Sequence, residues 1–251
     1  MQNWWKLPYS IYAIILLFIL FTIVFPIYVL IKILIPYSQQ TKWVHRTNKI
    51  VFIIWSAFTG FTYKIRGVEN IDEDQTYVIV CNHNNLADFM ASAYGIQVPG
   101  KPLVKKELLS IPIIGQLFAM ASVPLDRKDE NARKKSVEVM AKELEQGISL
   151  IIFAEGTRNR TPAPLKEFHN GAFSISMKTG KPILPVVFTN MKNLSSAESI
   201  LIRPWRIEAT HLEAVFPEAF NDTQEYKNHV YRIMWNYLVE NDPSFKDYEK
   251  L

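Results

Sequence analysis

No charged side chain stands between Lys6 and Lys32, and within that gap Ile11 to Ile31 is apolar apart from Thr22 and Pro26. A chain can do little with such a run except bury it in protein or in lipid. As a helix rising about 1.5 Å per residue, its 21 residues reach roughly 30 Å, the thickness of a bilayer's hydrocarbon core. The run is long for the core of a signal peptide, and no small-residue cleavage site follows it. It reads as a membrane-embedded helix, with Pro26 expected to kink it or to mark where it bends along the interface. A second uncharged stretch, Ile50 to Tyr63, has 14 residues and is too short to span upright. It predicts an interfacial or re-entrant helix, with a buried core helix as the alternative.

Charge follows the same division. The chain carries +4 in 251 residues, yet residues 1–63 hold five bases (Lys6, Lys32, Lys42, Arg46 and Lys49) and no acid. Four of those bases lie C-terminal to the long apolar run, so the positive-inside rule places the chain beyond that run in the cytoplasm, at the inner membrane. The lone Cys81 agrees with a reducing compartment and excludes a disulfide framework. A net charge this small argues for no nucleic-acid partner. With 49% hydrophobic residues, disorder is excluded. The expected division is a membrane-anchoring helical segment over 1–62 and a folded domain over 63–251.

Within that domain short apolar runs alternate with polar helical stretches. Tyr77 to Cys81, Lys101 to Lys105, Ser122 to Leu125, Ser149 to Phe153 and Ile183 to Phe188 read as strands. Helices are expected near Leu86 to Tyr94, Ile113 to Ala121, Glu130 to Gln146, Gly171 to Thr179 and Thr223 to Glu240. In the third of these, Val137, Met140, Ala141 and Leu144 form a narrow apolar stripe, and Gly147 supplies its stop. The alternation predicts an α/β fold with a mostly parallel sheet flanked by helices. Arg206 to Phe216 reads as a late strand pair, and the acid-rich tail from Pro217 as a solvated helical face.

The stretch Asn82-His83-Asn84-Asn85-Leu86-Ala87-Asp88 carries the most chemistry. On one continuous helix His83 and Asp88 would lie on different faces. They can meet if His83 sits in the turn after the strand and the helix begins at Asn85. Asp88 then fixes one imidazole nitrogen and leaves the other free as a base. The same spacing also makes Asn85-x-x-Asp88 a serviceable capping box, with His83 an ordinary turn residue. Further on come Lys105-Lys106-Glu107-Leu108-Leu109-Ser110-Ile111-Pro112-Ile113-Ile114-Gly115, then Asp126-Arg127. Ala154-Glu155-Gly156-Thr157-Arg158-Asn159-Arg160 and Lys181-Pro182-Ile183-Leu184-Pro185-Val186 come after them.

With these four ordered blocks, over about residues 78 to 188, the chain resembles the glycerolipid acyltransferase family typified by 1-acyl-glycerol-3-phosphate acyltransferase. The resemblance implies an enzyme, an α/β acyltransferase catalytic domain over 63–251, in which His83 is the general base and Asp88 its orienting partner. The reaction implied is attack by the free hydroxyl of a lysolipid on the acyl thioester of acyl-CoA or acyl-carrier protein, at a bilayer surface. Lysophosphatidic acid is the favoured acceptor and phosphatidic acid the product. Another lysolipid is the alternative acceptor, and a membrane lipid-binding protein without turnover is the competitor from another class. Glu155, Gly156, Thr157 and Arg158 are implicated in binding the acceptor's phosphate. Lys105 is similarly implicated, with Lys106 adjacent. Arg158 offers a planar, always charged fork, and Gly156 lets the backbone come close. Arg127 and Arg160 have weaker claims, since ion pairs with Asp126 or Glu167 would explain them equally well.

The family pattern is not matched everywhere. Its usual serine in the first block is Asn85, its usual proline before the Glu-Gly-Thr-Arg is Ala154, and a common lysine after Phe168 is His169. Cys81, two residues from His83, reads as core packing at the end of a buried strand. No Gly-x-Ser-x-Gly elbow occurs, which argues against an α/β-hydrolase. His45, His169, His211 and His229 show no ligand spacing, so neither a metal nor another cofactor is expected.

Overall fold

Val78 to Cys81 is apolar at every position, the composition of a strand covered on both faces. In the computed structural model, which describes residues 4–85, 87–110, 114–126, 130–192, 194 and 201–251, this strand sits at the centre of a seven-stranded sheet. The strands are β1 (Thr62–Arg66), β2 (Val78–Cys81), β3 (Gly100–Lys105), β4 (Val123–Leu125), β5 (Ser149–Phe153), β6 (Ile183–Thr189) and β7 (Arg206–His211), in the order β1-β7-β6-β2-β5-β3-β4. The five from β6 to β4 run parallel, whereas β7 is antiparallel to β6 and pairs in parallel with β1. Helices are α1 (Lys6–Leu34), α2 (Tyr37–Thr59), α3 (Asp88–Gly95), α4 (Ile114–Ala121), α5 (Glu130–Glu145), α6 (Gly171–Thr179) and α7 (Thr223–Asn241). The expected class, a mostly parallel sheet flanked by helices, is what the chain adopts.

Side chains alternate between the two faces of the sheet. Ile79, Cys81, Ile151, Leu184 and Val186 pack under α1, α2 and α3, in one core with Ala13, Phe52, Trp55 and Ala91. Val78, Val80, Leu150, Ile152 and Val187 pack against α5, α6 and α7, with Met140, Leu144, Phe173 and Tyr226. The N-terminal helices are therefore one of the two covering layers. The indole of Trp55 donates to Ala13 O at 2.8 Å, and Tyr28 Oη to Asn48 Oδ1 at 2.6 Å, which lock α1 and α2 into a hairpin. Lys101, on β3, then fastens the hairpin to the sheet. Its buried ammonium lies 3.0 Å from both carboxylate oxygens of Glu143 on α5 and 2.7 Å from Tyr37 Oη.

Four expectations need correction. The stretch from Ile50 to Tyr63 is no separate short helix. Its first part is the C-terminal half of α2, which starts at Tyr37 and stops at the left-handed Gly60 (φ 72°), while Tyr63 lies in β1. This half of α2 is two-sided: Val51, Phe52 and Trp55 are buried and Ile50, Ile53, Ile54 and Phe58 exposed. β1 escaped notice because Lys64 and Arg66 give it the polar look of an edge strand. Arg206 to Phe216 holds one strand, β7, and Val215 returns only as an isolated bridge to Ile183. The tail helix α7 is no merely solvated element, because Tyr226, Val230, Met234 and Leu238, each four apart, are all fully buried.

His211 closes β7 against β1 and the segment after α3. Its Nε2 accepts from the Gln97 N–H at 3.1 Å, so Nδ1, 3.1 Å from Arg66 O, carries the proton and donates. Burial holds this imidazole below its ordinary pKa of 6.5, and nearby Lys49 adds to the effect against the bond to Arg66. The unfolded chain therefore takes up this proton before the native one does. Stability from this site is complete above pH 6.5 and is lost as the pH falls below it, by at most about 1.4 kcal/mol per pH unit. Thermal melts of the detergent-solubilised protein should show a shallower loss between pH 6.5 and 5 for His211→Gln than for the unmodified chain. Parallel slopes would refute the assignment.

Candidate active site

β2 ends at Cys81, and Asn82 to Asn85 and Ala87 are held largely by bonds between side chains and backbone. Asn82 is fully buried and acts as a strand extension: its Oδ1 accepts from Phe188 N–H at 2.8 Å and its Nδ2 donates to Phe188 O at 2.9 Å. Asn85 Nδ2 reaches Met191 O at 2.8 Å, and its Oδ1 accepts from Ala87 N–H at 2.8 Å. Between these anchors the chain turns, and α3 begins at Asp88 rather than at Asn85.

Asp88 is thus the first helical residue, and its side chain points back over the turn. One oxygen, Oδ2, accepts from His83 Nδ1 at 2.6 Å, from Asn85 N–H at 2.9 Å, and from Asn84 N–H. The one oxygen orients His83 and holds the N–H groups of the turn, but since α3 starts at Asp88 with Ala87 before it, Asn85 does not cap the helix and the capping box does not form. Complete burial pushes this carboxyl above its ordinary pKa, opposed by His83 and the two backbone donors. The His83 ring lies 4.5 Å from the Phe153 ring and is partly open to solvent. With Nδ1 taken by Asp88, Nε2 is the nitrogen that can exchange a proton with a ligand. Cys81 is buried, and burial holds its thiol far above the range in which a thiolate forms, which agrees with a packing role.

Glu155, Gly156, Thr157 and Arg158 follow β5, the strand beside β2. Glu155 is 1% exposed and turned inward. Its Oε1 accepts the His83 N–H at 2.8 Å and its Oε2 the Lys166 N–H at 2.9 Å. Burial drives its pKa up to about 7 despite those donors. Glu155, which the resemblance implicates in phosphate binding, is held inward by the backbone of His83 and Lys166. Gly156 occupies the left-handed region (φ 69°), which the turn out of β5 demands. Asn159 N–H donates to His83 O at 2.7 Å, tying the loop to the same residue from the other side. Thr157 and Arg160 are exposed and Arg158 half-buried.

Lys105 is exposed at the C-terminal end of β3, two strands from β2 and so roughly 10 Å across the sheet. It shares the carboxyl edge with His83 and Arg158, the edge at which open α/β sheets bind ligands. Lys106 is 3.1 Å from Asp126, and Glu167 is 3.8 Å from Lys227, so both acids considered for the arginines have lysine partners. Arg127, Pro112 and Ile113 lie outside the described residues. Gly115, the glycine of the Pro-x-x-Gly, has a plain reason: a Cβ there would sit 2.1 Å from Leu109 O.

Two further features had no voice in the sequence. Lys192 spends its ammonium on the carbonyls of Thr161, Pro162 and Ala163 at 2.8, 3.0 and 2.9 Å, clamping the loop that carries Arg158 and Arg160. On the α1–α3 side of the sheet lies a cavity of about 280 Å³, lined mostly by apolar residues including Leu17, Phe18 and Phe21 of α1, Phe89 of α3 and Ile151 of β5. Among the described residues no cluster of three or more His, Cys, Asp or Glu could hold a metal ion.

A carboxylate-oriented imidazole thus stands at the carboxyl edge of a mostly parallel sheet, an edge it shares with Lys105 and Arg158. A model of the acyltransferase family matches residues 62–189, just over half of the chain. The chain belongs to this acyltransferase family. It is 29% identical over 228 residues to a 1-acyl-sn-glycerol-3-phosphate acyltransferase of Cocos nucifera, covering 88% of this chain and 71% of that one. It is 32% identical over 141 residues to the protein of the same name in Borreliella burgdorferi, covering 56% and 55%. Against a putative relative of that name in Caenorhabditis elegans the match covers 58% of this chain and 52% of the relative. The match thus spans only about half the length of the last two relatives. The fold is shared with the crystal structure of the 1-acyl-sn-glycerophosphate (LPA) acyltransferase PlsC of Thermotoga maritima, at a TM-score of 0.77 and 21% identity over 96% of this chain and 97% of that one.

Proposed function

We propose that this chain is a membrane-embedded O-acyltransferase that transfers a fatty acyl group from acyl-CoA or acyl-carrier protein to the free hydroxyl of lysophosphatidic acid, forming phosphatidic acid. The observation that carries this reading is the 2.6 Å contact of His83 Nδ1 with buried Asp88, on the edge of the sheet that also presents Arg158. His83 Nε2 takes the proton of the acceptor hydroxyl as its oxygen attacks the thioester carbonyl. The new C–O bond forms, the C–S bond breaks, and the imidazolium returns the proton to the departing sulfur. A positioned base of this kind contributes about 10²–10⁴-fold. Arg158 and Lys105, from neighbouring strand ends, hold the acceptor's phosphate, with Thr157 and the Gly156 turn beside them. The apolar cavity under α3 receives the acyl chain.

The division of labour is anchoring by residues 1–62 and catalysis by 63–251. The long helix α1 touches the rest of the chain from Ser10, whose Oγ accepts from Ile202 N–H at 2.9 Å, to Ile31, packed beside Met120 and Ala121. These contacts hold α1 against its own domain near both ends. Only 11% of its most apolar stretch is buried in protein, and its open face lies in the leaflet facing the cytoplasm. The four bases from Lys32 to Lys49 favour that leaflet and its anionic lipids.

The deciding experiment offers the purified protein labelled acyl-CoA and acyl-carrier protein with a panel of lysolipids. The highest kcat/KM is expected with lysophosphatidic acid. Preference for a lyso-aminolipid or an uncharged lysolipid would overturn the acceptor assignment. Lipid binding without transfer would overturn the enzyme.

A further inference from the structure

The geometry points to Lys166 as a further cation for the acceptor's phosphate beside Arg158 and Lys105, a role that rests on the acyl-transfer reading above. Lys166 lies eight residues beyond Arg158, and the two oxygens of Glu155 take its backbone N–H and that of His83 at 2.9 and 2.8 Å. One buried side chain thus sets the position of Lys166 relative to the imidazole. From there its half-exposed side chain reaches back across the loop, and its ammonium lies 2.7 Å from Thr157 Oγ1, next to Arg158.

Lys166 shares a neutral partner with Lys49, on Gln97 Oε1, and with Lys192, on three carbonyls, but its partner is Thr157, the residue before Arg158. Lys101, Lys106, Lys227 and Lys250 each have a carboxylate within 4.0 Å, at 3.0, 3.1, 3.8 and 3.3 Å. Among the described residues Lys166 has no such ion pair. An ammonium has three donors, and a hydroxyl occupies one while neutralising none of the charge. The arrangement positions a cation and leaves its field intact, which suits a phosphate monoester: Arg158 supplies a planar fork and Lys166 a point charge. His169, where a cation is missing, is exposed, with its backbone N–H on Ala154 O at 2.9 Å. The charge comes from three residues earlier.

The test compares Lys166→Met and Lys166→Arg with the unmodified chain, using lysophosphatidic acid and an uncharged monoacylglycerol as acceptors and acyl-CoA as donor. Loss of a charge-assisted bond predicts a roughly 10–100-fold rise in KM for lysophosphatidic acid in Lys166→Met, with kcat changed much less and most of the loss recovered in Lys166→Arg. KM for acyl-CoA, which carries its own phosphates, should stay unchanged. An unchanged acceptor KM, a rise confined to acyl-CoA, or an equal rise for monoacylglycerol would each overturn the proposal. Direct binding of lysophosphatidic acid and monoacylglycerol in detergent micelles is measured in parallel. If the unmodified chain binds lysophosphatidic acid but never acylates it, the acyl-transfer reading fails. Lys166 is then judged by whether Lys166→Met weakens binding of the phosphorylated lipid alone.

Discussion

His83→Ala should lower kcat for acyl transfer by about 10²–10⁴-fold while leaving the acceptor KM within a few-fold. The hydroxyl of a lysolipid is a poor nucleophile near neutral pH, and removal of its proton has to coincide with attack. Among the described residues, His83 is the histidine whose imidazole a buried carboxylate orients. The Asp88 variant separates position from proton transfer. In Asp88→Asn the amide oxygen can stand where Oδ2 does and keep the three N–H donors, which puts the NH₂ at the place of Oδ1, a buried atom with no partner. What is lost is the negative charge beside Nδ1, which stabilises the imidazolium formed when the base takes its proton, and a buried NH₂ is left without an acceptor. The expected result is a comparable fall in kcat together with a loss of about 1–3 kcal/mol of stability. Transfer by His83→Ala within threefold of the unmodified rate would eliminate the general-base role whatever Asp88→Asn does.

That pair was legible because its partners are five residues apart and one turn joins them. Glu155 was legible as part of a motif but not in its orientation. Nothing in Ala154-Glu155-Gly156 says that the carboxylate points inward to the N–H groups of His83 and Lys166, since both partners arrive from elsewhere in the chain. Asn82 has the same difficulty, because its partner Phe188 lies 106 residues away on β6. Asn82 next to a histidine looks like surface chemistry, yet it is a fully buried splice between two strands. Periodicity located β2, β5 and β6 because both faces of these strands are covered, so their apolar runs are unbroken. It missed β1, an edge strand that needs no such run. In α7 the buried residues at 226, 230, 234 and 238 stand four apart on one face, but of the seven acids from Pro217 onward only Glu225 and Glu240 lie in the helix, so the acid content of the tail says little about that face. The cavity and the Lys101–Glu143–Tyr37 cluster were invisible for a further reason. Each is made by α1 or α2 against the sheet, and a sequence divided at residue 62 places those groups in separate compartments.

The same packing sharpens what the uncharged N-terminal run does, and the double variant Ile15→Glu/Ile19→Glu isolates it. Both residues stand on the outer face of α1, 52% and 47% exposed, whereas Ala13, one step round the helix, is fully buried under Trp55. Inserting a charge into the apolar part of a bilayer costs on the order of 2.5 kcal/mol or more, so the pair should weaken membrane partitioning by about 5 kcal/mol, close to 10⁴-fold. Sedimentation with anionic vesicles should be lost. The melting temperature in detergent should hardly move, because neither side chain belongs to the core. Ala13→Glu makes the contrast: it buries a charge against Trp55 and Phe52 and should unfold the hairpin in detergent as well as in lipid. Activity then distinguishes anchoring from chemistry. The double variant should keep its rate on a short-chain lysophosphatidic acid dispersed in solution and lose it on the same acceptor held in vesicles, since the site is intact but no longer delivered to the surface. If it still sediments with vesicles as the unmodified chain does, the outer face of α1 is not what meets the bilayer, and the one-leaflet arrangement fails with it.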